Sequence, residues 1–357
     1  MEGPFFSNKP QIAEKRSLHC ASLRSASVGT TVRPLVDLWV GAQAWLFESL
    51  VSPLLYALDL MEWYEPAFNA VEFVMLGLAQ IAVIALVMRP IERRFGIESG
   101  GVERGEETLV GVDRVYTALN KLGVVPLLVF VVAYPITNEL EHLVRVAGFA
   151  PPRLERLIPG LHDNALASFL AYFVLYDFAA YWVHRAQHRF GWWWALHSLH
   201  HSQRRVTAWT DDRNHILDEL LVNLVLAVFA QFVGVQPDDF VLILIVGRLI
   251  ESFSHIGLDL GFGRLGSRLL VAPRFHRLHH ALADARDPHI HDHNFAAVFP
   301  IWDVLFGTAR FDAPPRPTGV DDREIDADNG RGWFGQQARV FRRFVAALTP
   351  PKLQTRP

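Results

Sequence analysis

The chain reads as an all-α, integral-membrane helical bundle with a histidine-rich cap on the cytoplasmic side. Three observations predict this. Of 357 residues, 51% are hydrophobic and 12% aromatic, which is too apolar for a typical soluble enzyme. Several apolar stretches approach the ~20 residues needed to cross a hydrocarbon core about 30 Å thick. Histidines gather just beyond the ends of these stretches, as in HRAQHRFGWWWALHSLHHS from position 184, which holds five.

Residues 1–34 are polar, with Lys9, Lys15, Arg16 and Arg24, and lack the early apolar core of a signal peptide, so they read as a mobile tail. Residues 35–160 are expected to form the N-terminal interfacial and transmembrane helices. Within them, 35–61 is apolar but interrupted by Asp37, Glu48, Pro53 and Asp59, which suits a helix lying at the interface. Spans are expected at 67–88, 115–136, 165–183, 216–235 and 240–256. Only Gln236-Pro237-Asp238-Asp239 separates the last two, which therefore form a hairpin. Residues 161–312 carry the histidine clusters, and 313–357 read as a polar C-terminal tail.

Basic residues orient the bundle, because short loops rich in them stay cytoplasmic. Segment 89–121 holds six Lys and Arg and segment 184–213 holds five, whereas 137–163 holds three, balanced by Glu139, Glu141, Glu155 and Asp163. The alternation puts all the clustered histidines on the cytoplasmic face. Trp192, Trp193 and Trp194 are expected to anchor at the headgroup level.

A net charge of −3 gives no global basic field for nucleic acid. Cys20 is the only cysteine, which excludes an intramolecular disulfide and thiolate metal sites, so any metal is held by nitrogen and oxygen.

The histidine spacing is what metal chemistry needs. His184 and His188 are one helical turn apart on one face. His197 and His201 repeat that spacing with His200 beside them, and His276, His279 and His280 repeat the HxxHH pattern. His215 precedes the fourth expected span and His255 ends the fifth, so the hairpin returns both to the same side. Ten imidazoles exceed the six positions of an octahedral ion, and two metals sharing an all-histidine site is the economical count.

Acids accompany these helices. Asp177, Tyr181, His184 and His188 fall on one helical stripe, Glu251 stands four residues before His255, and Asp218 and Glu219 stand three and four after His215. Carboxylates so placed are expected to accept the free ring N–H of ligating histidines. The rival reading is bundle-stabilising ion pairs, with Arg248–Glu251 the first instance.

The string DFAAYWVHRAQHRFGWWWALHSLHHS from Asp177, APRFHRLHH ending at His280 and HNFAAVFPIWDVLFGT from His293 resemble the fatty acid hydroxylase and sterol desaturase superfamily of membrane di-iron enzymes. The resemblance covers about 165–310. Ala296 stands where that pattern has glycine, and the segment before Asn294 is extended by His289, His291 and His293, which read as a solvated loop.

The resemblance implies two iron ions (Fe), dioxygen and a lipid substrate, sterol, fatty-acyl or related, that is hydroxylated or desaturated. Electrons are expected from an external ferredoxin-like or cytochrome-like carrier, since no dinucleotide fingerprint or haem-binding domain is found. Arg204, Arg205 and Arg213 either dock such an acidic carrier or meet anionic lipid heads. A zinc-dependent membrane hydrolase is a rival reading, although HRAQH lacks the glutamate of HExxH. A metal transporter would place ligands near the midplane rather than beyond the span ends. A catalytically inactive structural membrane protein is the remaining alternative.

Overall fold

The structure is a computed structural model that describes residues 33–97, 106–235, 237–285, 287–312 and 314–349. Most of the expected N-terminal tail, including Cys20, lies outside the described residues. Helices account for the regular structure, and the described residues contain no strand beyond two isolated bridges, Ala281 with Thr318 and Asp284 with Asp287.

The chain divides into two compact units. The first comprises Met1–Gly77 with Gln236–Asp239. Its described helices are α1 (Arg33–Leu46), α2 (Ser52–Ala57) and the beginning of α3 (Tyr64–Val83), with a π-helical turn at Phe47–Val51. Phe47 is the buried anchor, edge-on to Tyr64 at 4.7 Å and to Phe68 at 5.2 Å. Trp45, Leu50 and Tyr56 point outward.

The second unit, Leu78–Val235 and Phe240–Pro357, holds α4 (Arg89–Phe95), α5 (Glu106–Lys121), α6 (Val124–Val146), α7 (Leu154–Leu157), α8 (Ala165–Arg189), α9 (Gly191–His201) and α10 (Ile216–Val233). It continues through α11 (Pro237–Ser254), α12 (Gly263–Leu269), α13 (Pro273–His279), α14 (Ile301–Phe306), α15 (Arg323–Asp326) and α16 (Trp333–Leu348). Among the described residues, four helical stretches are long and apolar enough to cross a membrane: Met61–Phe95, α6, α8 and α10. This is the architecture of a multi-pass membrane protein.

Two expected spans differ. The stretch 115–136 is split at Gly123, whose φ of 87° only glycine adopts without strain, so α5 ends and α6 runs to Val146. The stretch 240–256 falls mostly in α11, whose Asp238, Asp239, Arg248 and Glu251 leave no clean apolar run. The hairpin still returns, because Arg248 donates to Glu219 of α10 at 2.9 Å. The expected polar tail also differs: it folds into α15 and α16, with Gln336 and Val340 fully buried.

Local signals fix the elements around the histidines. Asn164 Oδ1 caps α8 by accepting from Ala167 N at 3.0 Å. Phe190, extended at φ −96° and ψ 115°, turns the chain sharply from α8 into α9. Pro273 occupies the first turn of α13, where its missing N–H costs nothing. Helix α9 is the centre of the unit: Trp193, Leu196 and Leu199 pack with Tyr116, Leu226 and Val340 in one core cluster.

A buried ion pair ties α5 to the end of α9. Arg213, with no exposed surface, donates to Asp113 at 2.7 Å, to Asn329 at 2.8 Å and to the Leu199 carbonyl at 3.3 Å. Removing one partner of such a pair costs about 3–5 kcal/mol, because the other charge is left buried.

Candidate metal centre

Nine of the ten expected histidines meet in two groups. His184, His188, His197, His201 and His279 form one, with one ring nitrogen from each lying within 4.8 Å of all the others. His200, His255, His276 and His280 form the second to the same limit. The groups adjoin, with the His201 and His280 rings stacked at 4.4 Å.

Helix geometry explains how two HxxHH motifs serve two groups. Residues i and i+4 are about 40° apart around a helix, whereas i+3 and i+4 are about 100° apart. The outer histidines of each motif therefore point together and the middle one diverges. His197 and His201 enter the first group and His200 the second; reciprocally, His276 and His280 enter the second and His279 the first.

The ring nitrogens face one another. His184 Nε2 lies 2.9 Å from His279 Nε2, and His188 Nε2 lies 3.2 Å from His201 Nε2. In the second group His255 Nε2 lies 3.2 Å from His200 Nε2 and 3.0 Å from His276 Nε2, which is 3.1 Å from His280 Nε2. Burial, reinforced by neighbouring imidazoles, pushes the basicity of His200, His201, His276, His279 and His280 well below the ordinary imidazole value. Neutral rings leave converging lone pairs that repel unless a cation lies among them. His197 Nε2 is buried in this group without a hydrogen-bond partner. A set of imidazole donors without thiolate suits iron, copper, nickel or zinc, so the residues fit a metal pair without naming the element.

Three of the opposite ring nitrogens are held by backbone. His184 Nδ1 is 2.7 Å from the Phe295 carbonyl, His279 Nδ1 is 2.8 Å from that of His293, and His255 Nδ1 is 2.7 Å from that of Glu251. Each carbonyl accepts the Nδ1–H and so leaves Nε2 as the free donor. Only Asp218 matches the expected role for carboxylates: it stands 3.2 Å from His197 Nδ1 and also accepts from Trp193 Nε1 at 2.7 Å and Gln187 at 2.9 Å.

The remaining expectations are corrected. His215 joins neither group: its Nδ1 accepts from Leu217 N at 3.1 Å, capping α10, and its Nε2 is 3.2 Å from the Gln337 carbonyl. Asp177 touches no histidine and instead accepts from Val298 N, Phe299 N and Trp302 Nε1, at 3.0, 2.9 and 3.0 Å. Tyr181 bonds Thr308 at 2.9 Å. Glu219 pairs with Arg248 at 2.9 Å, and the Glu251 carboxylate lies 3.8 Å from Arg248, so both follow the ion-pair reading. Trp193 is buried and Trp194 packs at a tilt against His188 at 4.9 Å, so neither is a headgroup anchor.

The added histidine loop also has structure. His291 stacks on Trp194 at 5.8 Å and His293 supplies the carbonyl for His279, while the His289 side chain is 78% exposed. Asp211 escaped the sequence reading. It lies 3.7 Å from His255 Nδ1 and accepts from Ser252 at 2.8 Å. Its signal was the acidic pair after the second motif. Asp303 was seen only as part of a motif; its carboxylate accepts from Phe295 N and Ala296 N, both at 2.9 Å, and so fixes the loop whose carbonyl holds His184.

A cavity of about 140 Å³ reaches both groups. His184, His197, His255 and His276 line one part, and Phe173, Leu226 and Ile243 line another. Its size suits a group about as large as a benzene ring.

The sequence pattern of the fatty acid hydroxylase family matches residues 169–308, which contain all nine converging histidines. The chain is similar to alkylglycerol monooxygenases. That of Caenorhabditis elegans is 32% identical over 142 residues, 39% of this chain and 27% of the relative. The Danio rerio protein is 30% identical over 146 residues, covering 41% and 31%, and the Homo sapiens protein 31% over 132 residues, covering 37% and 28%. The matched segment thus spans less than a third of these curated relatives. No solved structure matches significantly. Residues 169–308 are thus similar to the fatty acid hydroxylase family, and the matches to the alkylglycerol monooxygenases cover a comparable share of the chain.

Proposed function

We propose that the chain is a membrane-bound di-iron oxygenase that hydroxylates a lipid. The observation that carries this reading is the pair of all-histidine groups opening onto a part-apolar cavity between α8, α10 and α11. His184, His188, His197, His201 and His279 would hold one iron, and His200, His255, His276 and His280 the other. Iron, when bound, supplies the redox chemistry for oxygen activation and attack on an unactivated carbon–hydrogen bond.

The chain's own residues do the rest. Backbone carbonyls and Asp218 fix ring orientation, and the apolar wall seats a hydrocarbon segment against the donor set. In the net reaction, one carbon–hydrogen bond and dioxygen, with two electrons and two protons, give an alcohol and water. The relatives' name makes an alkylglycerol the first lipid to test, ahead of sterols and fatty acyl chains, and favours hydroxylation over desaturation.

The electrons come from an external ferredoxin-like or cytochrome-like carrier. Arg213 is buried and takes no part in its docking; Arg204 is exposed but paired with Asp326 at 2.6 Å. The basic segments assign the histidine side to the cytoplasm. The working unit extends past residue 312, because α16 packs on α9. A zinc hydrolase is disfavoured, since the first motif reads His184-Arg-Ala-Gln-His188 and lacks the glutamate of HExxH.

Protein purified without oxygen should retain about two irons per chain. Added lipid should then drive oxygen consumption and yield a hydroxylated product. Zinc alone, with hydrolysis and no oxygen uptake, would refute the reading.

A further inference from the structure

We infer that α16 is an interfacial helix that lies in the surface of the lipid bilayer and seats the histidine cap on it. One face of the helix is accounted for: Gln336 and Val340 are fully buried, and Trp333 and Phe344 pack on the core around α9. The opposite face is exposed yet apolar. Phe334 is 83% exposed, Phe341 49%, Val345 45% and Leu348 56%, and Ala338 is exposed between them. These five fall at i, i+4, i+7, i+11 and i+14, a single stripe along the helix. Such a stripe in water is unfavourable and marks a surface that something apolar covers.

Its position says what covers it. Helix α16 is bonded to the start of one membrane span and reaches the end of another through Trp192 of α9. Gln337 accepts from Ile216 N at 3.0 Å, and its carbonyl lies 3.2 Å from His215 Nε2, at the first turn of α10. Phe344 contacts Trp192 at 6.4 Å, and Trp192 stacks at 6.3 Å on the half-exposed Phe190, the residue that ends α8. A helix bonded to the exit point of one span and one ring removed from that of another lies at the level where both leave the bilayer, so its outward stripe meets the boundary between headgroups and acyl chains.

The flanking charges agree. Arg331 and Arg342 are exposed beside the stripe, whereas the inward Arg339 and Arg343 are both held by Asp328 at 2.9 Å. An apolar stripe bordered by arginine is the pattern of a helix lying in an anionic interface.

The test uses the full chain with Cys20 replaced by serine, reconstituted in vesicles of phosphatidylcholine and phosphatidylserine. Single spin labels at F334C, F341C and V345C are compared with one at E324C, an exposed residue of α15. The three stripe labels should be more accessible to dissolved oxygen than to an aqueous nickel chelate, with the ratio reversed at Glu324. Nickel-favoured accessibility along the stripe overturns the inference. So does spin–spin broadening there that vanishes on dilution with unlabelled protein, since a second copy would then cover the face.

Discussion

The Asp218 carboxylate stands 3.2 Å from Nδ1 of His197, and both side chains are buried. It accepts the ring N–H and leaves Nε2, the nitrogen buried in the first histidine group without a partner, free to bind. Asp218→Asn keeps the shape but brings an amide N–H among the Trp193 and Gln187 donors, so the amide oxygen is no longer reserved for His197. Metal affinity should fall roughly 10- to 100-fold, the usual effect of losing such a partner. Chelator competition against the purified chain measures this, and wild-type affinity in the variant would remove Asp218 from the centre.

His215 separates a structural histidine from a ligating one. Its Nδ1 caps α10, so His215→Ala should cost about 0.5–2 kcal/mol of stability, while His215→Asn, a good cap, should recover most of it. Both variants should retain the wild-type metal content, in contrast to His197→Ala or His276→Ala. Loss of metal from the folded His215→Asn variant would return His215 to the ligand set.

The difference between His215 and the other nine histidines shows what the sequence could reveal. Spacing on a helix is a local property, so HxxxH and the two HxxHH motifs were legible. Where an isolated histidine points depends on the chain entering and leaving its helix, and the Gln337 carbonyl that meets His215 comes from 122 residues away. The same reasoning covers the acids. A shared stripe put Asp177 on the face of His184, but the helix rise of about 1.5 Å per residue carries it about 10 Å away, to the backbone of Val298 and Phe299. Carbonyl partners such as Phe295 have no side-chain signature at all. The C-terminal helix was missed because its many arginines resemble a solvated tail, whereas Asp328 neutralises two of them inside the fold.

Acid should destabilise the metal-free chain steeply. Burial holds His200, His201, His276, His279 and His280 well below the ordinary imidazole value of about 6.5, so the unfolded chain takes up protons that the folded chain refuses. Their contribution is therefore full above the unfolded value and is lost as pH falls below it, by up to about 1.4 kcal/mol per histidine per pH unit. Thermal midpoints of the metal-free chain should drop between about pH 7 and about pH 5, and bound metal should delay the drop. A flat profile for the metal-free chain would show that these rings are solvated.

Helix α8 decides the topology. Its 25 residues extend about 37 Å, enough to cross a hydrocarbon core of about 30 Å, and its end carries His184 and His188. Two residues before it in the loop, Asp163 has an 89% exposed side chain, and Glu324 is exposed on the histidine side. Six Lys and Arg in 89–121 and five in 184–213, against three in 137–163, are the basis for the proposed orientation with the histidine side in the cytoplasm. In intact cells expressing the Cys20→Ser chain, an impermeant thiol reagent should label D163C at once and E324C only after lysis. Labelling of both from outside would mean that α8 does not cross. Labelling of E324C alone would invert the bundle and expose the histidine groups outside the cell, away from cytoplasmic electron carriers.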